Sequence, residues 1–302
     1  MADLLGIRLE YDESETLSVG QVARQWFGRG RETFCREYAA SIDQHGTPDL
    51  VEETPEIIAD PSPLPRNPQH EAFGMLLLNE RFTLQNHYSR PYSAANWTWF
   101  HERVGSPFHL AWMEFSWIKD QEIRDGYTPF TKIQVERDVD NPGRFTATLA
   151  VQRRYLYDPA AAHILINFTA EITAALPPVI GYTSESPTYD RKNTAQFGGP
   201  DVDPYRNDPA LLTAFHWLTY ATPQVIEALG GIDRIRTAGK IHGIRPLPEG
   251  AAMLVATPTA REYTERAEAE LGRYLKPVLP PADYWWDTGN SNPYRQRRIV
   301  PR

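Results

Sequence analysis

Carboxylates close together in a loop, and histidines set beside aromatic or acidic neighbours, are the residues of this 302-residue chain best suited to chemistry. Asp201-Val202-Asp203, with Tyr205 and Asp208 nearby, could present oxygens to a divalent cation. Aspartates in proline-bearing loops also make local turns with backbone N–H groups. His101 and His109 flank an aromatic loop that holds Glu102, a combination open to metal binding or proton transfer, although ordinary surface and loop histidine is the simpler expectation. His216 stands beside Trp217 in what reads as a strand, where a satisfied edge or core imidazole is the simpler expectation. Cys35 lies near Phe34 and Tyr38 on the apolar side of a helical pattern and reads as a core thiol. As the single cysteine it excludes an internal disulfide and any multi-cysteine metal site. Gly28-Arg29-Gly30 falls inside a helical pattern rather than after a strand, so it reads as a helix break and not a phosphate loop. No P-loop, H-E-x-x-H or G-x-S-x-G motif occurs. These pieces form no coherent acid/base, nucleophile or metal set. The expectation is a chain that is not an enzyme, with no catalytic residue, cofactor or bound metal.

Residues suited to binding are more prominent. Glu52, Glu53, Glu56 and Asp60 form an acidic run in a proline-rich arm over residues 46–70. Trp285, Trp286 and Asp287 place an aromatic pair beside an acid in a polar tail. Proline-stiffened segments lose less entropy on binding, and aromatic anchors ringed by charge are typical of tight contacts. Both segments are therefore the expected partner-binding residues, the alternative being a solvated acidic face and tryptophans that cap the core. Trp97, Trp99 and Phe100 either anchor an interface or roof a sheet. With 31 Lys+Arg against 39 Asp+Glu the net charge is −8. That disfavours nucleic acid as a partner, because polyanion affinity rests on phosphate neutralisation, and it suits a basic protein. No apolar run is long enough to span a membrane, and the N-terminus lacks the order of a signal peptide; a cytoplasmic protein is expected.

The elements that must position these residues follow from periodicity. Leu5 to Tyr11 alternates as a strand, and about Val19 to Ile42 is helical with a break or bend expected at Gly28 and Gly30. Phe73 to Leu84 is strand-like, and the aromatic stretch from Tyr88 to His109 reads as irregular. Leu110 to Ile118, Phe130 to Val139 and Phe145 to Val151 are strands, the last two joined by an Asn141-Pro142-Gly143 turn. Asp158-Pro159 opens a helix whose inward stripe is Ala161, Ile164, Leu165, Phe168, Ile172, Ala175 and Leu176, and Val179 to Ser184 returns as a strand. A shorter unit of the same kind follows a polar crossing over 185–209. It has a strand from Phe215 to Tyr220, a helix from Thr222-Pro223 to Gly230-Gly231, and strands at Ile241–Arg245 and Met253–Ala256 around a Pro248-Glu249-Gly250 turn. Thr259-x-x-Glu262 reads as a capping box for a helix with Tyr263, Ala267, Leu271, Tyr274 and Leu275 inward. The expected fold is α+β: two related lobes of antiparallel sheet with helices packed on one face, residues 1–190 and 191–302.

Four ordered blocks in the second half carry a resemblance. They are Leu176-Pro-Pro-Val-Ile-Gly181-Tyr182; Phe197-Gly-Gly-Pro-Asp201-Val-Asp203; Trp217-Leu-Thr-Tyr220 with Pro223 and Ala228-Leu-Gly-Gly231; and Tyr274-Leu-Lys-Pro277. Together, from about residue 165 to 281, they resemble the type VI secretion immunity family, bacterial proteins encoded beside toxic effectors. His216 departs from the polar residue, such as Asn, usual before the tryptophan, and Ala221-Thr222 replaces the usual glycine-containing stretch. The resemblance implies a non-enzymatic inhibitor that binds and neutralises a cognate toxin, with nucleases among the candidate targets. A scaffold module of a bacterial assembly, and a hydrolase built on Asp201, Asp203 and His216, are the alternatives.

Overall fold

The computed structural model describes residues 5–45, 72–80, 87–117, 130–152, 154–184, 206, 208–212 and 215–280. The acidic arm with Glu52, Glu53, Glu56 and Asp60, the tail with Trp285, Trp286 and Asp287, the pair Asp201 and Asp203, and the 190/191 boundary lie outside the described residues.

The chain is α+β, as the sequence implies, and forms two compact units. One is Tyr11–Arg153 with the first residues of the chain, and the other joins Leu5–Glu10 to Arg154–Arg302. Strand β1 (Leu5–Asp12) thus gives most of its length to the second unit.

In the first unit β2 (Ala72–Asn79), β3 (His87–Pro91), β4 (Leu110–Trp117), β5 (Phe130–Arg137) and β6 (Arg144–Val151) form antiparallel pairs in the order β3-β2-β4-β5-β6. Alternation decides which side is buried. Met113, Phe115, Ile133, Val135, Phe145 and Leu149 are almost wholly buried, while Trp112, Glu114, Lys132, Gln134 and Thr148 between them are half-buried. Helices α1 (Val19–Phe34), α2 (Arg36–His45) and α3 (Ala94–Arg103) complete the unit. Ser18 and Gln21 close a capping box at the start of α1.

Two expectations change here. Gly28 and Gly30 do not break α1, which runs unbroken to Phe34 and is separated from α2 at Cys35. Gly30 is instead a packing residue: a Cβ there would lie 2.5 Å from Ile133 Cδ1, so glycine lets the helix lie close on the sheet. The aromatic stretch read as irregular is also ordered, as β3 followed by α3. Ser93 starts α3 by accepting the Asn96 N–H at 3.1 Å, and Asn96 Nδ2 donates to Pro91 O at 2.8 Å.

The second unit orders its strands β1-β7-β8-β10-β9, again antiparallel, with β7 (Ile180–Ser184), β8 (Leu218–Ala221), β9 (Gly243–Pro246) and β10 (Ala252–Val255). Its described helices are α4 (Arg154–Tyr157), α5 (Pro159–Ala175), α6 (Pro223–Ala228), α7 (Ile232–Ala238) and α8 (Glu265–Leu275). Asp158 caps α5 through Ala160 N at 2.9 Å, and Pro159 takes the first helical position where no N–H is needed. Leu165, Phe168 and Ile172 are buried as expected, but Ile164 is exposed and Ala162 is buried in its place. Thr222 caps α6 with Pro223 next, and Gly230 and Gly231 end it at φ of 91° and 87°, backbone that favours glycine. Helix α7 then restarts at once, an element the sequence reading passes over. The strand expected from Phe215 begins only at Leu218, because His216 N donates to Thr219 Oγ1 and turns the chain. Thr259 does not cap the last helix; its hydroxyl bonds Glu262 Oε1 at 3.0 Å in a short turn, and Thr264 caps α8. Val225, Ile226, Ile235, Leu254, Leu271 and Leu275 share one apolar core. Glu10, buried on β1, meets Arg8 at 2.9 Å and Arg206 at 3.5 Å, which neutralises a charge that burial alone would make costly.

Candidate functional site

Helix α3 and strand β3 gather aromatic rings and guanidinium groups on two sides of the helix. On the side toward α1, Trp97, Phe100 and His101 follow helical spacing. Phe100 is fully buried and meets Phe27 edge-on at 4.9 Å. Trp97 lies 5.2 Å from the His101 ring. Arg31, in the last turn of α1, donates its Nε–H to Tyr92 Oη at 2.7 Å. Its guanidinium sits 5.1 Å from the Trp97 ring centre and 5.7 Å from that of Tyr92, within cation–π range. Tyr92 is itself fixed: it is wholly buried, its N–H donates to Gly74 O at 2.7 Å, and a Cβ at Gly74 would lie 2.7 Å from Tyr92 Cβ. Burial pushes the Tyr92 phenol up from its ordinary value, against the pull of the Arg31 hydrogen bond.

On the other side, Tyr88 and Arg90 alternate along β3, and Trp99 and Arg103 are one helical turn apart. The Arg90 guanidinium stacks 3.9 Å above the Trp99 ring. Tyr88 meets Trp99 edge-on at 6.0 Å and Arg103 at 5.9 Å, and Arg103 Nε donates to Glu80 Oε1 at 2.8 Å. Tyr88 remains 39% exposed, so this cluster faces water. Rings and caps hold these side chains in place before any partner arrives, and tryptophan, tyrosine and arginine are the residue types that carry most binding energy at protein interfaces.

Among the described residues, those singled out for chemistry are not brought together. His101 Nε2 lies 3.3 Å from Arg24 O. His109 leads into β4, with its N–H on Asn79 O at 2.8 Å and its imidazole pushed down from the ordinary value by burial. The His216 ring lies tilted against Tyr182 with centres 4.7 Å apart, and Trp217 Nε1 donates to Thr257 O at 2.8 Å. Asp208 caps a local turn through Ala210 N at 2.9 Å. Cys35 is wholly buried, and burial pushes its thiol far above the usual range, consistent with a core role. Among the described residues no group of three or more His, Cys, Asp or Glu side chains is placed to hold a metal ion, and no helix is long and apolar enough to cross a membrane.

The sequence reading named Trp97, Trp99 and Phe100 but missed Arg31, Tyr88, Arg90, Tyr92 and Arg103. The available signals were the alternation of Tyr88 and Arg90 and the serine cap ahead of Trp97-Thr98-Trp99-Phe100.

No family model matches the chain, and no curated protein matches it. Among solved structures, the Pseudomonas aeruginosa T6SS protein PA0821 is similar at 16% identity, over 91% of this chain and 76% of that chain, with a TM-score of 0.49.

Proposed function

We propose that this chain is a non-enzymatic binding protein that neutralises a cognate bacterial toxin in a type VI secretion setting. The binding part is carried by one observation: Tyr88, Arg90, Trp99 and Arg103 form a preorganised, water-facing cluster on a capped helix and a paired strand. Side chains already ordered cost less entropy when a partner docks. The toxin part is supported by the ordered blocks that resemble immunity proteins. Several of those blocks sit where the second unit needs them. Gly181 lets Leu9 and Tyr220 approach to 2.9 Å, Trp217 is buried, Pro223 opens α6, and Gly230 and Gly231 end it. The net charge of −8 favours encounter with a basic target.

The test is co-expression with the product of the adjacent gene, followed by recovery of a complex and measurement of its kinetics. Trp99→Ala is expected to speed dissociation by about ten-fold or more, the effect of losing a buried aromatic anchor. Charge reversal of Glu52, Glu53 and Glu56 is expected to slow association and flatten its salt dependence. A chain that neither protects the cell nor recovers the adjacent product is not an immunity protein for it.

A further inference from the structure

Most sheltered arginines of this fold reach an acid. Arg8 and Arg206 meet Glu10 at 2.9 and 3.5 Å, Arg137 meets Glu13 at 2.7 Å, and Arg144 meets Asp12 at 3.7 Å. Arg31 is half-buried and reaches none among the described residues. Its Nε–H is taken by the Tyr92 hydroxyl at 2.7 Å, which leaves both Nη groups with no hydrogen-bond or ion-pair partner among the described residues. The guanidinium is flanked by the Tyr92 and Trp97 rings at 5.7 and 5.1 Å. A guanidinium donates in its own plane, in a fork that matches a carboxylate. With Nε held and rings alongside, the fork is fixed in direction and its Nη donors remain to be filled. The Nη atoms are not among the buried unsatisfied polar atoms, so water meets them in the free protein, and a carboxylate docking in the plane of the fork would replace that water with charge-assisted bonds.

We propose that Arg31, framed by Tyr92 and Trp97, is the anchor for a carboxylate presented by the toxin, an aspartate or glutamate side chain on its docking surface. This rests on the reading of the chain as a toxin-binding protein. A phosphate backbone is the poorer occupant. The molecule carries a net charge of −8, which repels a polyanion far more than it repels one carboxylate on a basic partner. A single carboxylate on a folded partner matches a single framed guanidinium. Such an anchor fixes orientation in an encounter that the acidic net charge steers.

The experiment measures binding of the purified product of the adjacent gene, rendered inactive, to the wild-type chain and to Arg31→Met, Arg31→Lys and the remote control Arg273→Met at one ionic strength. Melting curves confirm that each variant is folded. Arg31→Met is expected to weaken binding by about ten- to hundred-fold, the range for a charge-assisted hydrogen bond left unmade. Arg31→Lys keeps the charge, loses the fork, and falls between wild type and Arg31→Met; Arg273→Met is unchanged. One carboxylate-to-amide substitution on the partner reproduces the loss and adds nothing to Arg31→Met. Should Arg31→Met not fold, Arg31→Lys with the partner substitutions gives the same comparison. Wild-type binding with folded Arg31 variants within about two-fold of it, or a loss matched by no partner carboxylate, overturns this proposal alone. Absence of binding by the wild-type chain overturns the toxin-binding reading and this one with it.

Discussion

Gly30→Ala separates two opposing physical effects at one position. Helix propensity favours the substitution by about 1 kcal/mol, the usual difference between alanine and glycine inside a helix. Packing opposes it. The added Cβ would lie 2.5 Å from Ile133 Cδ1, 3.6 Å from Cγ2 and 3.7 Å from Cγ1. Carbon atoms attract best at about 3.5–4.0 Å, so only Cδ1 is in serious overlap. Ile133 is wholly buried and cannot swing that methyl aside without disturbing its neighbours. Overpacking of this kind costs about 1–3 kcal/mol, so Gly30→Ala is expected to be neutral to about 2 kcal/mol destabilising. Ile133→Val removes the offending methyl and alone costs about 0.5–1.5 kcal/mol. Placed together, the two changes fit, because the alanine occupies the space the methyl vacates. The double-mutant cycle, run by urea denaturation, should show a favourable coupling of about 1–3 kcal/mol, well above the few tenths expected of independent sites. If Gly30→Ala alone stabilises by the full propensity term and the two changes simply add, α1 does not lie on β5 as described.

Gly231 has φ of 87° and ψ of 164°, a region almost reserved for glycine, and a Cβ there would touch nothing within 4 Å. Gly231→Ala should therefore cost about 1–3 kcal/mol through backbone strain alone, and an unchanged melting temperature would refute the helix-stop role. Glu114 is pushed up from the usual carboxylate range by burial, against the pull of Lys132. Its folded pKa exceeds its unfolded one, so it lowers stability as pH rises from the unfolded value through the folded one; Glu114→Gln should raise the melting temperature at neutral pH and flatten that fall. Glu13 is held down, chiefly by the Arg137 hydrogen bond. Its contribution is present above the unfolded pKa and lost as pH falls through the folded one, so acid unfolding of Glu13→Gln should show a shallower pH dependence than wild type.

What could be read from the sequence were features written in neighbouring residues. The alternation of Phe145, Ala147 and Leu149 gives β6, Asp158-Pro159 gives the start of α5, and Gly230-Gly231 gives the end of α6, because each depends on a local period or a local backbone preference. Gly30 could not be read the same way: the reason for glycine is Ile133, brought there by the tertiary fold. Helix α3 was masked by its own aromatics, which have modest helix propensity and hide a stripe in which only Phe100 and the following Val104 are buried. The Arg31 frame was further out of reach, since Arg31 and Tyr92 are 61 positions apart and meet only through the seating of α1 beside α3. Of the residues expected to bind a partner, the acidic arm and the tryptophan tail lie outside the described residues, and the aromatic run at Trp97 and Trp99 is the part that the fold places.

Titration of the toxin with this chain tests the central claim most directly. The purified product of the adjacent gene is assayed for its own activity against increasing amounts of the chain, with the two proteins well above their dissociation constant. A non-enzymatic neutraliser is expected to abolish activity along a straight line that ends at one equivalent, independent of incubation time. Inhibition that is complete at a small fraction of an equivalent and deepens with time would show turnover, and activity untouched at excess would show that the chain does not neutralise that protein at all.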